Sequence, residues 1–438
     1  MVILTQKFRI HPTPQQEKIL WDLAETCRLL YNHALAERKY LYQAHNHLVT
    51  YNEQQNALPL LKKRFPRYQQ IYSKILQMTL KKLDAAYQGY FGLKKHGDQS
   101  AQPPTFRGKN YFFTLCYNQS GFKITPKTIH FSHKHPQKTD LIFSVPFDVS
   151  TFIVKQIEIF QDRYDHFFYL AVTAEQEDPP FHDNGLYQAF DLGTTKHTAI
   201  NLQGMVLEST VKRPDKYWYP KIRSLQQRIS HCKHGSKRHW LFHQRLVTIN
   251  RKCRNQTKDW QHKQSLNFLQ NTKAHTLIVG KLSPKQMTDS NKKKKKVKKI
   301  WKSTRYQKSV NRGVHNTGHL SRFIEFLTYK AQKLGKRVIA IDERDTSKTC
   351  AECGHKKTHF PLYERVYQCE VCGICRDRDQ NAVINIMKRF LSQYALWTGY
   401  QSFLTSIGNL RHTVKGKTTI SSSLLSKGFC ELVGNHLL

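Results

Sequence analysis

The sequence is poor in acidic residues: its 438 residues include 31 Asp and Glu against 71 Lys and Arg, a formal net charge of +40. This excess argues against an enzyme of small metabolites. It fits a polyanion partner, because Lys and Arg that neutralise phosphates release condensed counterions. Aromatic residues, 12% of the chain, are interleaved with the basic ones and allow stacking on unpaired bases. We predict a nucleic-acid-binding protein, with a ribosome-associated or membrane-surface protein as the alternative.

Long apolar segments are also lacking. No run approaches the roughly 18 residues of a membrane span. The N-terminal stretch MVILTQKFRIHPTPQQ lacks the charged-then-apolar order of a signal peptide, and no internal repeat is evident. We therefore expect a soluble, intracellular protein, cytoplasmic and nucleoid-associated in a prokaryote or nuclear in a eukaryote.

The ten cysteines do not indicate a disulfide framework, because five of them lie between residues 350 and 375. Cys350-x2-Cys353 is followed after fifteen residues by Cys369-x2-Cys372. Two pairs with this spacing bring four thiolates tetrahedrally onto one zinc ion, which would then be structural rather than catalytic. Cys372-x2-Cys375 is an alternative second pair, but the motif CxxCG occurs twice only if Cys369 pairs with Cys372.

The pattern of elements predicts a multidomain fold of the α/β and α+β type. ILTQKFRIHP indicates a strand, and Thr13, Pro14 and Gln16 form a capping box that begins a helix. Helical patterns continue to about residue 95, and short strands follow from residue 104. An opening strand, a helical insertion and a return to strands predict a β-barrel-like module interrupted by a helical lobe.

After Pro179 and Pro180, the segment LYQAFDLGTTKHTAINLQGMVLE predicts two strands joined by a glycine turn. A basic helical region, the strand TLIVGKL, an amphipathic helix ending at Gly335, the strand RVIAIDE, the cysteine cluster and a final helix follow. The helix before Gly335 is predicted to bury one face, formed by Leu320, Phe323, Ile324, Leu327, Ala331 and Leu334. The predicted domains are the β-module (1–10 and 104–180), the helical lobe (11–103), an RNase H-like domain (181–345 and 376–392), a zinc ribbon (346–375) that binds target nucleic acid, and a flexible tail (393–438).

Two aspartates sit where an RNase H-like fold holds Mg²⁺ against a scissile phosphate. Asp191 lies near the end of the first strand of the predicted domain, and Asp379 begins its closing helix. Such a site needs a third acid, normally at the end of the fourth strand, since two ions about 3.5–4 Å apart share anionic oxygens. That strand, LIVGKL, has Gly280 instead.

The segments TSKTCAECGH and YQCEVCGICRDRDQNAVINI strongly resemble the C-terminal signature of TnpB, a family of transposon-encoded RNA-guided nucleases, and of its eukaryotic relatives, the Fanzors. FDLGTTKHTAI resembles the first segment of the family's RuvC nuclease domain, and PPTFRGKNYFF resembles the strand module that precedes it. The resemblance covers residues 1–390, is most specific over 337–388 and is weak in the helical lobe.

This chain departs from the family at the second RuvC segment, which commonly ends in Glu-Asp-Leu and here reads Gly280-Lys281-Leu282. One interpretation is a nuclease-inactive, RNA-guided DNA-binding protein of the repressor type. The other is relocation of the acid to Glu343 at the end of RVIAIDE, because some family members resemble that arrangement. A fifth strand runs parallel beside the fourth in this fold, and a position without a side chain leaves room for Glu343 to cross. We favour relocation.

The resemblance implies an endonuclease in which Asp191, Glu343 and Asp379 hold Mg²⁺ and a DNA phosphodiester is hydrolysed. Arg376 and Arg378 flank the acids and are candidate substrate-binding residues, with a role in stabilising the fold as the alternative. The basic run Lys292–Lys299 is expected to contact RNA or DNA; a nuclear-localisation signal or a solvated charge run would also fit.

The resemblance further implies a guide RNA held between the lobes, a target DNA that pairs with it, and a short target-adjacent motif read by the protein. It leaves the choice between monomer and dimer open. A compact type V CRISPR effector fits similar motifs. A DDE transposase would need similar acids, but the placement of the cysteine cluster resembles TnpB.

Overall fold

The computed structural model divides the chain into two compact units, residues 1–177 and 178–438. Among the described residues, no helix is both long and apolar enough to cross a membrane. The structure describes residues 2–146, 148–150, 152–162, 166–281, 319–361, 364–394 and 396–408.

Unit 1 begins with strand β1 (Val2–Ile10), which leads into the long helix α1 (Pro14–His45). The predicted capping box is confirmed: the Gln16 backbone N–H donates to the Thr13 hydroxyl, and the Gln16 side chain accepts from the Thr13 N–H. Apolar residues spaced three and four apart bury one face of α1. Helices α2 (Tyr51–Arg64) and α3 (Ser73–Lys95) follow, with a 3-10 turn between them.

The remaining strands of unit 1 form two sheets. The strands are β2 (Leu115–Asn118), β3 (Phe122–Ile124), β4 (Thr128–Phe131), β5 (Leu141–Ser144), β6 (Ile153–Gln161) and β7 (Phe168–Gln176). The larger sheet has the order β1-β7-β6-β2, with all neighbours antiparallel, and the smaller has the order β3-β4-β5. The prediction of a β-barrel-like module is wrong in this respect, because the described strands form two open sheets and close no barrel.

Unit 2 contains a five-stranded sheet of order β10-β9-β8-β11-β12. Strands β8, β9 and β10 are antiparallel neighbours, whereas β11 runs parallel to both β8 and β12. The expected parallel pairing of the fourth strand with the fifth is confirmed by β11 and β12, and β11 also pairs with the first strand, β8. The strands are β8 (Tyr187–Leu192), β9 (Lys196–Asn201), β10 (Val206–Thr210), β11 (Thr276–Gly280) and β12 (Arg337–Ile341).

Helices cover both faces of this sheet. Helices α4 (Pro214–Ser230) and α5 (Lys237–Gln270) fill the predicted basic helical region, and α6 is His319–Lys333. Leu320, Phe323, Leu327 and Ala331 are buried as predicted and Ile324 is partly buried, but Leu334 lies beyond the helix end and is 46% exposed. On the other face lie α7 (Arg378–Gln393) and α8 (Trp397–Gly408).

The C-terminal tail differs from the prediction of a flexible segment over residues 393–438. Gln393 ends α7, and α8 follows it. Phe403 and Ile407 of α8 are buried in the core that α7 shares with the sheet, which explains why this part of the tail is helical. The prediction for 409–438 lies outside the described residues, as does the basic run Lys292–Lys299.

Alternation along the strands decides which side chains face α7. Ala189, Ile200, Ile278 and Ile341 pack in the core with α7. On the opposite face, a second core with α5 and α6 contains their neighbours on β8, β9 and β11: Phe190, Ala199, Leu277 and Val279. Because strand side chains alternate, positions 191 and 280 lie on the α7 side of the sheet. The carboxyl ends of β8, β11 and β12 therefore meet beside the start of α7.

Candidate metal centres

Four cysteines form the most compact set of ligand atoms in the described part of the chain. The thiol sulfurs of Cys350, Cys353, Cys369 and Cys372 all lie within 4.8 Å of one another. The Sγ atoms of Cys350 and Cys372 are 3.6 Å apart, as are those of Cys353 and Cys369. Tetrahedral zinc with bonds of about 2.3 Å requires sulfurs about 3.8 Å apart, so the four thiols fit a zinc ion.

The backbone at both cysteine pairs turns in the same way. Gly354 and Gly373, one residue after each second cysteine, have φ angles of 77° and 70°. Their N–H groups donate to the carbonyls of Cys350 and Cys369 at 3.1 and 3.2 Å, respectively. Glycine adopts this left-handed conformation without a Cβ clash, so the repeated CxxCG motif has a conformational cause.

Cys375 is exposed and lies on the short strand β14 (Cys375–Asp377), which pairs with β13 (Val366–Gln368). It is not a member of the four-sulfur set. Of the two pairings that the sequence allowed, Cys369 with Cys372 is thus the one that the structure brings together.

The predicted acids Asp191 and Asp379 lie on different elements. Asp191 is the penultimate residue of β8, and Asp379 is the second residue of α7. Asp377 caps α7: its Oδ1 accepts from the N–H groups of Asp379 and Gln380 at 2.8 and 3.3 Å. This cap starts the helix where β8 ends and so directs Asp379 toward that edge of the sheet.

Glu343 occupies the space that a side chain at residue 280 would fill. A Cβ built on Gly280 would overlap Oε2 of Glu343 and would lie 2.7 Å from its Cδ and 2.9 Å from its Cβ. The pairing of Gly280 with Ile341 across β11 and β12 brings the two positions together. One detail of the prediction is wrong: β12 ends at Ile341, so Glu343 lies two residues beyond the strand rather than at its end.

The electrostatics of Asp191 connect it to both of the other acids. Burial raises the pKa of Asp191 to about 8, and the charges of Asp379 and Glu343 add to the effect. Burial likewise raises the pKa of Glu343 to about 7, with a smaller contribution from Asp342. The pKa of Asp379 is also raised by burial, although Arg365 opposes the shift. Carboxyl groups that repel one another in this way are stabilised by a cation among them.

Two cationic side chains contact Asp379. The Arg365 guanidinium, from the segment between the cysteine pairs, donates to Oδ2 of Asp379. Lys196 Nζ at the start of β9 lies 3.7 Å from the same oxygen, 3.1 Å from Asp377 Oδ1 and 2.8 Å from Glu208 Oε1. Neither cation was predicted. Strand alternation places Lys196 on the side of Ile200, which faces α7, whereas the sequence around Arg365 carries no such signal.

The three acids fit a divalent cation by their chemistry. They supply hard carboxylate oxygens from three elements that meet at one sheet edge, and the missing Cβ at Gly280 admits the third. Their oxygens do not approach one another as closely as the four sulfurs do. We expect the carboxylate oxygens of the three acids to lie apart while Asp379 is paired with Arg365 and while the negative charges repel one another.

The predicted substrate-binding residues Arg376 and Arg378 are both buried, at 6% and 8% exposure. The Arg378 guanidinium donates to the carbonyls of Pro361 and Glu364 at 2.6 and 3.4 Å and to the Ser347 hydroxyl at 3.4 Å. These contacts attach the segment between the cysteine pairs to the start of α7 and favour, for Arg378, the alternative of a role in stabilising the fold.

We expect Asp191→Asn to stabilise the Mg²⁺-free protein at pH 8 and to have little effect at pH 4. The carboxyl pKa is about 3.9 in an unfolded chain and about 8 in the folded protein. The unfolded state therefore loses its proton first, and wild-type stability falls as pH rises from about 4 to about 8. Urea unfolding of both proteins across this range, with Zn²⁺ in the buffer, measures the effect.

Asp259→Asn is the matched control, since Asp259 pairs with Lys263 on the exposed surface of α5. If wild type and Asp191→Asn showed the same pH dependence, the raised pKa of Asp191 would be contradicted.

Two family models match parts of the chain. HTH_OrfB_IS605, described as a helix-turn-helix domain, matches residues 1–47, and Cas12f1-like_TNB, described as a Cas12f1-like TNB domain, matches 321–386. In the structure the first range holds β1 and α1, and the second runs from α6 through the cysteine cluster into α7.

Similar proteins extend the match over most of the chain. The putative RNA-guided DNA endonuclease InsQ of Escherichia coli K12 is 25% identical over 397 residues, which cover 87% of this chain and 90% of that protein. The TnpB-like protein L79 of Acanthamoeba polyphaga mimivirus is 32% identical over 154 residues, 35% of this chain and 26% of its own length. The putative transposase MJ0856.1 of Methanocaldococcus jannaschii is 32% identical over 88 residues, 18% of this chain and 80% of its own length.

Among solved structures, a Cas12f1 chain in a complex with sgRNA and target DNA shares the fold. Its TM-score is 0.52 at 13% identity, and the match covers 85% of this chain and 83% of that one. The two family models, the long match to InsQ and the TnpB-like relatives together show that the chain belongs to the TnpB-like family.

Proposed function

We propose that this protein is an RNA-guided DNA endonuclease that hydrolyses a phosphodiester with Mg²⁺ held by Asp191, Glu343 and Asp379. The observation that carries the proposal is the placement of the Glu343 carboxyl over Gly280. Relatives named as putative RNA-guided DNA endonucleases, from Escherichia coli and Streptomyces pristinaespiralis, match about nine-tenths of this chain and support the same activity.

Bound Mg²⁺ would supply a Lewis acid for the phosphate and a water molecule of lowered pKa. The protein's own contribution is to hold three carboxylates at one sheet edge: Asp191 on β8, Asp379 on α7 and Glu343 beyond β12. Arg365 and Lys196 balance the charge of Asp379 before loading. If Asp379 held a metal ion in place of its ion pair with Arg365, the Arg365 guanidinium would be available to contact an anionic phosphate oxygen.

A guide RNA and a target DNA are the partners that the net charge of +40 and the solved Cas12f1–sgRNA–target DNA complex support. Base pairing would then read the target sequence, and the protein would read a short motif beside it. Residues 346–375 would form a zinc ribbon that binds target nucleic acid next to the acids. A structural zinc ion fits the four thiols, which leave no open position for catalysis.

A nuclease-inactive guided binder is the second candidate, since Gly280 replaces the usual acid. It is less favoured, because loss of that acid alone would not require a second carboxylate to occupy the vacated space. A compact type V CRISPR effector would use the same site, and an adjacent repeat array in the genome would distinguish it.

The test is cleavage of a plasmid library with randomised flanking motifs by protein co-expressed with its native downstream transcript. We expect linear plasmid with one enriched motif in Mg²⁺ and none after Mg²⁺ is omitted. Bound but uncut plasmid in Mg²⁺ would support the guided binder instead.

A further inference from the structure

Glu343 lies outside the regular sheet, so the ladder of β12 does not hold it. The loop from residue 342 to 349, here called the acid loop, connects β12 to the first zinc cysteine. Within the loop, the Thr346 hydroxyl and N–H donate to the Glu343 carbonyl at 2.9 and 3.2 Å, and the Arg344 N–H donates to Asp342 Oδ1 at 3.0 Å. These bonds shape the turn but do not orient it toward Asp379.

A row of donor side chains on α7 holds the acid loop from outside. Asn381, Asn385 and Arg389 are spaced four residues apart and therefore lie along one face of the helix. The Asn381 amide donates to the Thr349 carbonyl at 2.7 Å. The Asn385 amide donates to the carbonyls of Thr346 and Thr349 at 2.8 and 2.7 Å. The first two members of the row thus bind the C-terminal half of the loop.

The third member binds the backbone on both sides of Glu343. Arg389 Nη1 donates to the Asp342 carbonyl at 2.5 Å, and both Nη1 and Nη2 lie 3.2 Å from the Arg344 carbonyl. A guanidinium group is a planar fork of donors that holds two carbonyls in a fixed relative orientation, whereas the donors of an ammonium group rotate about a flexible stem. Arg389 therefore fixes the peptide unit that carries Glu343.

The same helix carries Asp379 on its first turn. A contact between α7 and the backbone around Glu343 therefore links the loop that carries Glu343 to the helix that carries Asp379. A glutamate at the end of β11 would be held by strand pairing, whereas one on a loop needs another constraint. Arg389 supplies it, which explains how a relocated acid reaches a defined position.

We propose that Arg389 is a positioning residue for Glu343 and that it determines how tightly the carboxylate site binds a divalent cation. This inference rests on the proposed function. It assigns no contact with substrate to Arg389, and the helix face it uses is engaged by carbonyl oxygens of the acid loop.

The experiment compares Arg389→Gln and Arg389→Lys with wild type and with Arg337→Lys. Arg337 is the matched control because it lies at the opposite end of β12, where its guanidinium binds Asp183 at 2.8 Å and Thr276 at 3.0 Å. The first readout is Mn²⁺ binding by the zinc-loaded protein without nucleic acid, followed by electron paramagnetic resonance, with Glu343→Gln as the low-affinity reference. The second is the Mg²⁺ concentration that gives half-maximal cleavage.

We expect Arg389→Gln to raise the Mn²⁺ dissociation constant and the Mg²⁺ half-saturation together, each about 10-fold, the lower end of the effect of residues that orient metal ligands. Arg389→Lys should recover part of the loss, and Arg337→Lys should match wild type in both. Cleavage by Arg389→Gln should approach the wild-type rate at saturating Mg²⁺, because the ligands themselves remain.

Two results would overturn the inference: a lowered melting temperature of Arg389→Gln with unchanged Mn²⁺ affinity, which indicates a structural role only, or tighter Mn²⁺ binding. Failure of the proposed function looks different. In that case wild type does not cut, or Glu343→Gln cuts as well as wild type, whatever the Mn²⁺ affinity of the Arg389 variants. If Arg389→Gln does not fold, Arg389→Lys provides the test. Weaker Mn²⁺ binding with an unchanged maximal cleavage rate would support the inference, and unchanged Mn²⁺ binding would overturn it.

Discussion

Glu343→Gln should cut target DNA about 10³-fold more slowly than wild type while binding it normally. The substitution preserves the shape of the side chain but removes the negative charge, and charge stabilisation by a site metal contributes several kcal/mol to the transition state. A loss of about 4 kcal/mol corresponds to about 10³-fold in rate. Single-turnover cleavage of a guided target measures the rate, and filter binding in Ca²⁺ measures the affinity.

Substitutions of Gly280 test the same placement of Glu343 independently. Gly280→Ala should also impair cleavage, because its Cβ would overlap the Glu343 carboxyl and displace it. The double variant Gly280→Glu, Glu343→Ala returns the acid to the strand end and empties the space above it. This variant should cut faster than Glu343→Ala alone. Undiminished cleavage by Glu343→Gln would show that the third acid lies elsewhere in the chain.

Cys350→Ser should release zinc and abolish cleavage, the other large effect expected. Binding of structural zinc is worth about 10–16 kcal/mol in isolated zinc-finger peptides, so loss of one thiolate should unfold the segment between the cysteine pairs. That segment provides Arg365 to Asp379, and Arg378 binds its backbone at Pro361 and Glu364. Zinc content by elemental analysis and proteolysis of the ribbon measure the change.

Cys375→Ser is the matched control, since Cys375 is exposed and outside the four-sulfur set. It should retain zinc, resist proteolysis and cut like wild type. Loss of zinc in Cys375→Ser together with retention in Cys369→Ser would reverse the choice of ligands.

Several features were determined by the sequence alone, because short-range rules decide them. The spacing of the cysteines, repeated with a glycine after each pair, identified the four thiols that the structure brings together. The capping box at Thr13 and Gln16 located the start of α1. The glycine turn after Asp191 predicted that β8 and β9 pair, and they do. The apolar segment TLIVG predicted the strand β11, which lies beside β8 in the sheet. The family was also recognisable, since its signature lies in contiguous segments.

Other features needed the tertiary structure. The strands of unit 1 could not be assigned to open sheets, because pairing between distant strands leaves no local mark in the sequence. Helix α8 was missed for a similar reason, since burial of Phe403 and Ile407 depends on the core beneath them. Whether Glu343 reaches the place left by Gly280 depends on the register of β11 with β12 and on Arg389, which is 46 positions away in the chain. The sequence shows that an acid is missing, but only the packing of separate elements decides which carboxylate takes its place.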